Sequence, residues 1–257
     1  MTRVALVTGG TRGIGAAAVR QLAASGLAVA FSARDSDSVA ALESEVRDDG
    51  ACALGVPADM ADASQVEAFL ERAGAELGPA DILVNNVGQS PSRNFQRMTD
   101  SDWLGLLELN LMAAVRCTRA VLPGMRKRGW GRIVMVSSLA AKHPDAVLVD
   151  YAAAKAALVA TAKALARRYG RDGVLVNSVL PGLIHTPMWE RAADEIAESR
   201  GGSSDEVMAT MAKNVPVGRY GTADEVAAVV VFLCSDAASY VNGAAIDVDG
   251  GMSTHVF

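Results

Sequence analysis

An α/β fold on a parallel sheet is the class this chain predicts, and three observations predict it. Short apolar runs alternate with amphipathic helical stretches along the whole length. The first run enters a glycine-rich turn that opens directly into a helix. The 257 residues, 51% hydrophobic and 21% charged, suit one domain over 1–257, near the upper size of a single core.

The first strand is expected at 4–7, a β-branched run. Thr8-Gly9-Gly10-Thr11-Arg12-Gly13-Ile14-Gly15 follows, then a helix over 16–25. Strand, glycine turn and helix together make a phosphate site. The turn exposes backbone N–H groups, and the helix N-terminus adds partial positive charge. Glycine is needed where a side chain would block a pyrophosphate. No Lys-Ser or Lys-Thr follows, which excludes a nucleoside-triphosphate loop.

A second strand is expected at 27–33. An acid at its end would bind the ribose hydroxyls of NAD(H). This chain has Ala33 and then Arg34, with Arg12 inside the glycine turn. Two guanidinium groups near one ribose suit a 2′-phosphate, so the expected cofactor is NADP(H) in preference to NAD(H). Asp35 is the competing signal.

A helix over 39–47, a strand over 51–56, the polar step Ala58-Asp59-Met60 and a helix over 63–77 come next. A buried strand at 82–84 runs into Asn85-Asn86-Val87-Gly88, a polar turn at the carboxyl edge of the sheet. The stretch 101–128 reads as one long helix. Asn110 lies in its apolar middle, and a cap, a solvated position and a water-holding group all fit it. Arg126, Lys127 and Arg128 at its end suit the helix dipole.

Residues 133–136 read as a buried strand ending near Ser138. Tyr151 and Lys155 follow, four apart in an alanine-rich helix, which puts both side chains on one face. A phenol beside an ammonium suits acid–base chemistry. The positive charge favours the phenolate and is expected to lower the tyrosine pKa. After a strand at 174–179 comes Pro181-Gly182-Leu183-Ile184-His185-Thr186-Pro187. The charged stretch over about 187–215 carries Trp189, Met208 and Met211 around a Gly201-Gly202 break, and reads as a substrate lid. A helix at 222–234, with Thr222 and Glu225 in capping-box register, and a strand at 244–248 complete the pattern.

A net charge of -5 argues against a nucleic-acid or anionic-membrane partner. No apolar run reaches membrane-spanning length, and the start leads directly into a strand without a signal segment. Cys52, Cys117 and Cys234 are isolated, and each is expected to be a small buried hydrophobe, with no metal site. A cytoplasmic location is the expectation. No Gly-x-Ser-x-Gly elbow is present, and His143, His185 and His255 have no evident nucleophile partner. His143 is either a pocket residue or a structural histidine.

In this order and spacing, the glycine turn, Asp59, Asn85-Asn86-Val87-Gly88, Asn110, Ser138, Tyr151-x-x-x-Lys155, Pro181-Gly182 with Thr186, and Asp249-Gly250-Gly251 resemble the classical short-chain dehydrogenase/reductase family across essentially the whole chain. The resemblance implies a Rossmann-type doubly wound sheet of seven parallel strands in the order 3-2-1-4-5-6-7, flanked by helices. It implies a catalytic set of Asn110, Ser138, Tyr151 and Lys155. Tyr151 would be the acid/base and Ser138 the partner of the substrate oxygen. Lys155 would bind the nicotinamide ribose and lower the Tyr151 pKa, and Asn110 would hold a water. Cofactor contacts would come from Gly9, Thr11, Arg12, Gly13, Ile14, Gly15, Arg34, Asp59, Met60, Asn86, Gly88, Tyr151, Lys155, Pro181, Gly182, Ile184 and Thr186. Val87 departs from the usual Ala and slightly enlarges a position near the cofactor. A homotetramer is the implied assembly.

The implied activity is hydride transfer between NADP(H) and a small-molecule ketone or secondary alcohol. A non-catalytic dinucleotide-binding protein is the rival on the same fold, but such a protein would be expected to lose members of the catalytic set. Val215-Pro-Val-Gly-Arg219 resembles the tail of β-ketoacyl thioester reductases, so a 3-oxoacyl-(acyl-carrier-protein) reductase of fatty-acid synthesis is the alternative. Gly129 and Asp172 stand where such proteins carry carrier-docking bases, with Arg128 and Arg171 adjacent as substitutes. The Trp- and Met-bearing lid favours a ketone with a sizeable hydrophobic portion and little dependence on a carrier.

Overall fold

The computed structural model describes residues 2–254; His255 lies outside them. Seven parallel strands form one sheet in the order β3-β2-β1-β4-β5-β6-β7, as the resemblance implies. β1 (Val4–Thr8) leads through α1 (Gly13–Ala24) to β2 (Ala28–Ala33), then through α2 (Ser36–Asp48) to β3 (Ala53–Pro57). α3 (Ala63–Leu77) returns the chain to β4 (Ile82–Asn85) on the other side of β1. From there it runs outward through α4 (Asp100–Leu107), a π-turn (Glu108–Met112), α5 (Ala113–Arg128), β5 (Gly131–Val136), α6 (Val149–Tyr169) and β6 (Val174–Pro181). α7 (Pro187–Arg200), α8 (Ser204–Ala212) and α9 (Ala223–Cys234) precede β7 (Ala245–Val248).

Helices cover both faces, which is why the inner strands are continuously apolar. Alternation along β1 divides the core. Ala5 and Val7 join Leu22, Val39, Val226 and Val230, from α1, α2 and α9. Val4 and Leu6 join Phe69, Cys117 and Leu158, from α3, α5 and α6. The winding direction reverses between β1 and β4, and the loops that leave these two strands diverge to form a crevice at their carboxyl ends.

Several boundaries move from their expected places. α1 begins at Gly13, so Gly13 and Gly15 belong to its first turn. α2 begins at Ser36 because Asp35 caps it. The third strand starts at Ala53 and includes Pro57, and β6 runs on to Pro181. The expected single helix over 101–128 is interrupted by the π-turn around Asn110. Cys117 and Cys234 are buried as expected, and desolvation pushes both thiols up to about 12. Cys52 is instead exposed, because it precedes β3 rather than lying in it.

The glycine turn is closed by steric necessity. Gly9 has φ +68°, in the region that side chains disfavour. A Cβ on Gly15 would stand 2.1 Å from the Gly9 carbonyl oxygen, so nothing larger than glycine fits there. Gly15→Ala is expected to cost about 1–3 kcal/mol by overpacking. Each kcal/mol lowers Tm by about 2–4 °C in a domain of this size, and a thermal unfolding scan measures the drop.

Candidate active site

The crevice is a cleft of about 780 Å³. Its lining comes from the segments that leave β1, β4, β5 and β6, among them Gly9, Asn86, Ser138 and Pro181. One end is the start of α1. The N-cap Arg12 places no side chain on the helix N–H groups, and the first turn holds no acid. Gly13 and Ile14 of that turn line the cleft. Helix-end donors left free at a glycine turn suit a phosphate anion.

Asn86 ties this turn to the neighbouring strand. Its Nδ2 donates to the carbonyls of Thr8 and Gly9, both at 3.0 Å. Its backbone N–H, and that of Val87, donate to Thr8 Oγ1 at 3.0 and 3.1 Å. Asn86 lines the cleft, but its amide is occupied in holding the turn.

Beside the turn, Arg12, Ala33, Arg34, Asp35, Asp59 and Met60 form one side of the cleft. The Asp35 carboxylate accepts the Ser38 N–H at 3.2 Å, capping α2, and lies 4.0 Å from Arg12. The hydrogen bonds from Ser38, and then the Arg12 charge, hold its pKa below the usual value. Asp35, the competing acid of the sequence, is thus engaged by α2 and Arg12. Asp59 shapes its own turn by accepting the Ala61 N–H at 3.0 Å.

Farther along, Ser138, Tyr151 and Lys155 line the cleft, with Asn110 buried behind Gly88 and not part of the lining. α6 carries Tyr151 and Lys155 on one face, with the lysine Nζ 5.6 Å from the centre of the phenol ring. Ser138 and Tyr151 both line the cleft, and Ser138 Oγ accepts the Ala140 N–H at 3.1 Å. Lys155 is buried and donates from Nζ to Val136 O at 3.0 Å. Ser137 holds the helix here by donating to Lys155 O at 2.8 Å.

The structure excludes two of the three readings of Asn110. It is buried in the π-turn, and its side chain is neither a cap nor solvated. Its Nδ2 donates to Leu106 O at 3.2 Å and Gln89 O at 3.1 Å, and its Oδ1 accepts the Gln89 N–H at 3.3 Å. A π-turn shifts backbone pairing from four residues to five, and the side chain supplies a donor to the carbonyl four residues back. A Cβ on Gly88 would lie 2.6 Å from Asn110 Oδ1 and 3.2 Å from Lys155 Nζ. Glycine there is what lets the amide and the ammonium approach the same backbone.

The expected lowering of the Tyr151 pKa is not observed. Burial pushes the phenol up, and the Ser138 hydroxyl offsets only part of that. Burial also pushes Lys155 down to about 8. Desolvation of the phenol therefore outweighs the contacts around it that favour the phenolate.

The far end of the cleft is lined by Leu139, His143, Leu148, Trp189, Met211 and Met252. Trp189 packs edge-on to Tyr220 at 6.4 Å between ring centres. α7 buries Ala193 and Ala197, whereas no residue of α8 is buried. Met208 does not line the cleft, contrary to its expected place beside Trp189 and Met211.

The basic residues considered for carrier docking lie elsewhere. Arg128 ends α5 and pairs with Asp81 at 3.0 Å, while donating to the Ala80 carbonyl. Arg126 pairs with Asp172 at 2.6 Å. These contacts, in addition to any dipole effect, explain the positive end of α5. Arg128 and Arg171 sit where the chain enters β5 and β6, opposite the carboxyl edge that bears this chain's cleft.

The profile described as enoyl-(acyl carrier protein) reductase matches residues 9–253. The short-chain reductase protein NovJ of Streptomyces niveus is 42% identical over 248 residues, 96% of this chain and 93% of that one. The chain is a short-chain dehydrogenase/reductase. The 3-oxoacyl-(acyl-carrier-protein) reductase FabG of Escherichia coli is 38% identical over 97% of each chain. A crystal structure of F189W actinorhodin polyketide ketoreductase with NADPH has TM-score 0.95 and 34% identity, covering 99% of this chain and 98% of that one.

Sequence reasoning missed three residues of this short-chain dehydrogenase/reductase site. Gln89 and Arg93 lie in a loop without periodicity, so no pattern marks them. Asp150 is fully buried one residue before Tyr151. A carboxylate entering an otherwise alanine-rich, buried helix was the available signal.

The folded protein holds the Lys155 proton more weakly than the unfolded chain. Burying the ammonium therefore costs stability below pH about 8, and the cost fades as pH rises from there toward the ordinary value of 10.5. Lys155→Met is expected to be more stable than wild type at pH 7 by about 1–3 kcal/mol. Denaturant titrations from pH 7 to 10.5 should show that advantage shrinking.

Proposed function

We propose that this chain is an NADP(H)-dependent ketoreductase that interconverts a ketone and its secondary alcohol. One observation carries the reading: Ser138 and Tyr151 share the cleft with Lys155 and with an uncapped, glycine-lined helix N-terminus. The relatives named above, two of them titled as ketone or ketoacyl reductases, support the same chemistry.

The cofactor assignment is supported by the free donors at Gly13 and Ile14, by Arg12 and Arg34 beside a non-acidic Ala33, and by the engagement of Asp35 in capping α2. Arg12 and Arg34 would receive the 2′-phosphate. Lys155 would hold the nicotinamide ribose, with Ile184 and Thr186 beside the nicotinamide. When bound, the cofactor supplies the hydride. Tyr151 donates the proton to the ketone oxygen during reduction and withdraws it during oxidation. Ser138 holds that oxygen beside the phenol. A phenol whose pKa is raised by burial is protonated at neutral pH, which is the form that reduction uses. Asn110 is held by Gln89 and Leu106, where it would order the water that connects Lys155 with solvent.

The substrate would be a free or thioester-linked ketone with a sizeable apolar portion, received by Leu139, Leu148, Trp189, Met211 and Met252. α7 and α8 would act as the lid, consistent with the absence of buried residues in α8. The pairing of Arg128 with Asp81 favours little dependence on a carrier protein. A homotetramer in the cytoplasm completes the reading.

A panel of free ketones, small acyl thioesters and carrier-bound acetoacetate, assayed with NADPH, tests the function. Wild type should reduce apolar ketones, and carrier attachment should give no large gain in kcat/KM. Tyr151→Phe should lose at least about 100-fold in kcat with NADPH binding nearly unchanged. Near-normal turnover in that variant would sink the assignment.

Cofactor preference has a separate test. Ala33→Asp combined with Arg34→Gln should move preference toward NAD(H), mainly through KM. Equal kcat/KM for the two cofactors in wild type would refute the 2′-phosphate reading.

A further inference from the structure

The loop between β4 and α4 lines the cleft at Gln89 and Ser90 and is fastened to α6 by one side chain. Arg93 Nη1 donates to Asp150 Oδ2 at 2.8 Å. Asp150 has no solvent exposure, and its Oδ1 accepts the N–H of Tyr151 at 2.8 Å. The Arg93 backbone N–H donates to Val147 O at 3.0 Å, just before α6. Its guanidinium also lies 3.6 Å from the Asp102 carboxylate in the first turn of α4. One arginine therefore joins the start of α4, the approach to α6 and the residue before Tyr151.

Four residues upstream, the same loop makes the second half of the site. Gln89 gives both its backbone N–H and its carbonyl to the Asn110 side chain. Gly88 abuts Asn110 and Lys155. The Tyr151 end of α6 and the Asn110 pair are thus held in register through a loop that contains no regular ladder between residues 86 and 94. A buried carboxylate is sustained by its cation, and removing the cation leaves an uncompensated charge.

We propose that Arg93 is a positioning residue, which through Asp150 sets the placement of Tyr151 against the Asn110–Gln89 pair. The proposal rests on the ketoreductase reading. Catalysis by oriented groups is sensitive to displacement, and a 1 Å error costs about 100-fold. The effect should fall on kcat, because Arg93 does not line the cleft where the cofactor would lie.

Four proteins separate this role from a merely structural one: wild type, Arg93→Ala, Arg93→Lys, and Arg93→Ala combined with Asp150→Asn. Arg93→Ala should lower kcat by about 10- to 100-fold and leave the KM for NADPH within about two-fold. Arg93→Lys should recover part of kcat. The double variant removes the uncompensated carboxylate, so its Tm should return toward wild type while kcat stays low. If kcat recovers together with Tm, Arg93 acts only on stability and the proposal is overturned. Wild-type kcat in a well-folded Arg93→Ala protein overturns it as well.

Hydrogen exchange of the same proteins without substrate gives an answer independent of turnover. The double variant should exchange faster at amides 89–94 and at amides 147–152, with β1 and β4 unchanged. Unchanged exchange in either segment breaks the tether, whatever the kinetics show. If wild type reduces nothing in the panel while these amides respond as expected, the tether stands and the ketoreductase reading falls.

Discussion

Two strand ends are fastened together where the winding of the sheet reverses. The side-chain amide of Asn86 reaches from the end of β4 to the carbonyls of Thr8 and Gly9, and Thr8 Oγ1 answers by accepting the N–H groups of Asn86 and Val87. A crevice at a topological switch point follows from the strand order alone. Its width and the pose of the glycine turn do not. The Asn86 contacts set both, and with them the direction in which the first turn of α1 presents its N–H groups. The same amide stands close to any Cβ at Gly15, so the turn is packed from both sides.

Polar groups in the floor of the cleft and just behind it are held by backbone, in a pattern that explains the irregular helix beside them. Lys155 spends a hydrogen bond on Val136 O, and Ser137 holds the backbone of that same lysine. Asn110 satisfies three backbone groups from the π-turn. A buried amide in a regular helix would compete with the ladder; widening the ladder by one residue gives it partners instead. The result is a rigid wall facing the cleft, set against a lightly packed α8 on the other side. Rigid placement of reacting groups and mobility of the cover are separate requirements, and here they fall on separate elements.

Charge in this site is governed by burial more than by pairing. The phenol is pushed up and the ammonium is pushed down, so burial favours the neutral form of both side chains. A bound cationic ring would alter this balance by adding a charge that does not titrate.

The sequence by itself determined the alternation of strands and helices, the glycine turn, the shared face of Tyr151 and Lys155, and the family. These rest on period, on turn chemistry and on motif order, all of which are local in the chain. Thr222 and Glu225 form the expected capping box for the same reason. Tertiary structure alone decided the rest. It placed Asn110 in a π-turn, because the partners that justify it come from Gln89 in another segment. It gave Asp35 to α2, and it gave Arg126 and Arg128 to Asp172 and Asp81, acids 46 and 47 residues away in sequence. It raised the Tyr151 pKa that spacing had suggested would fall. It also brought Arg93 to Asp150, 57 residues apart. Desolvation and long-range pairing depend on what folds over a residue, and no window along the chain contains that information.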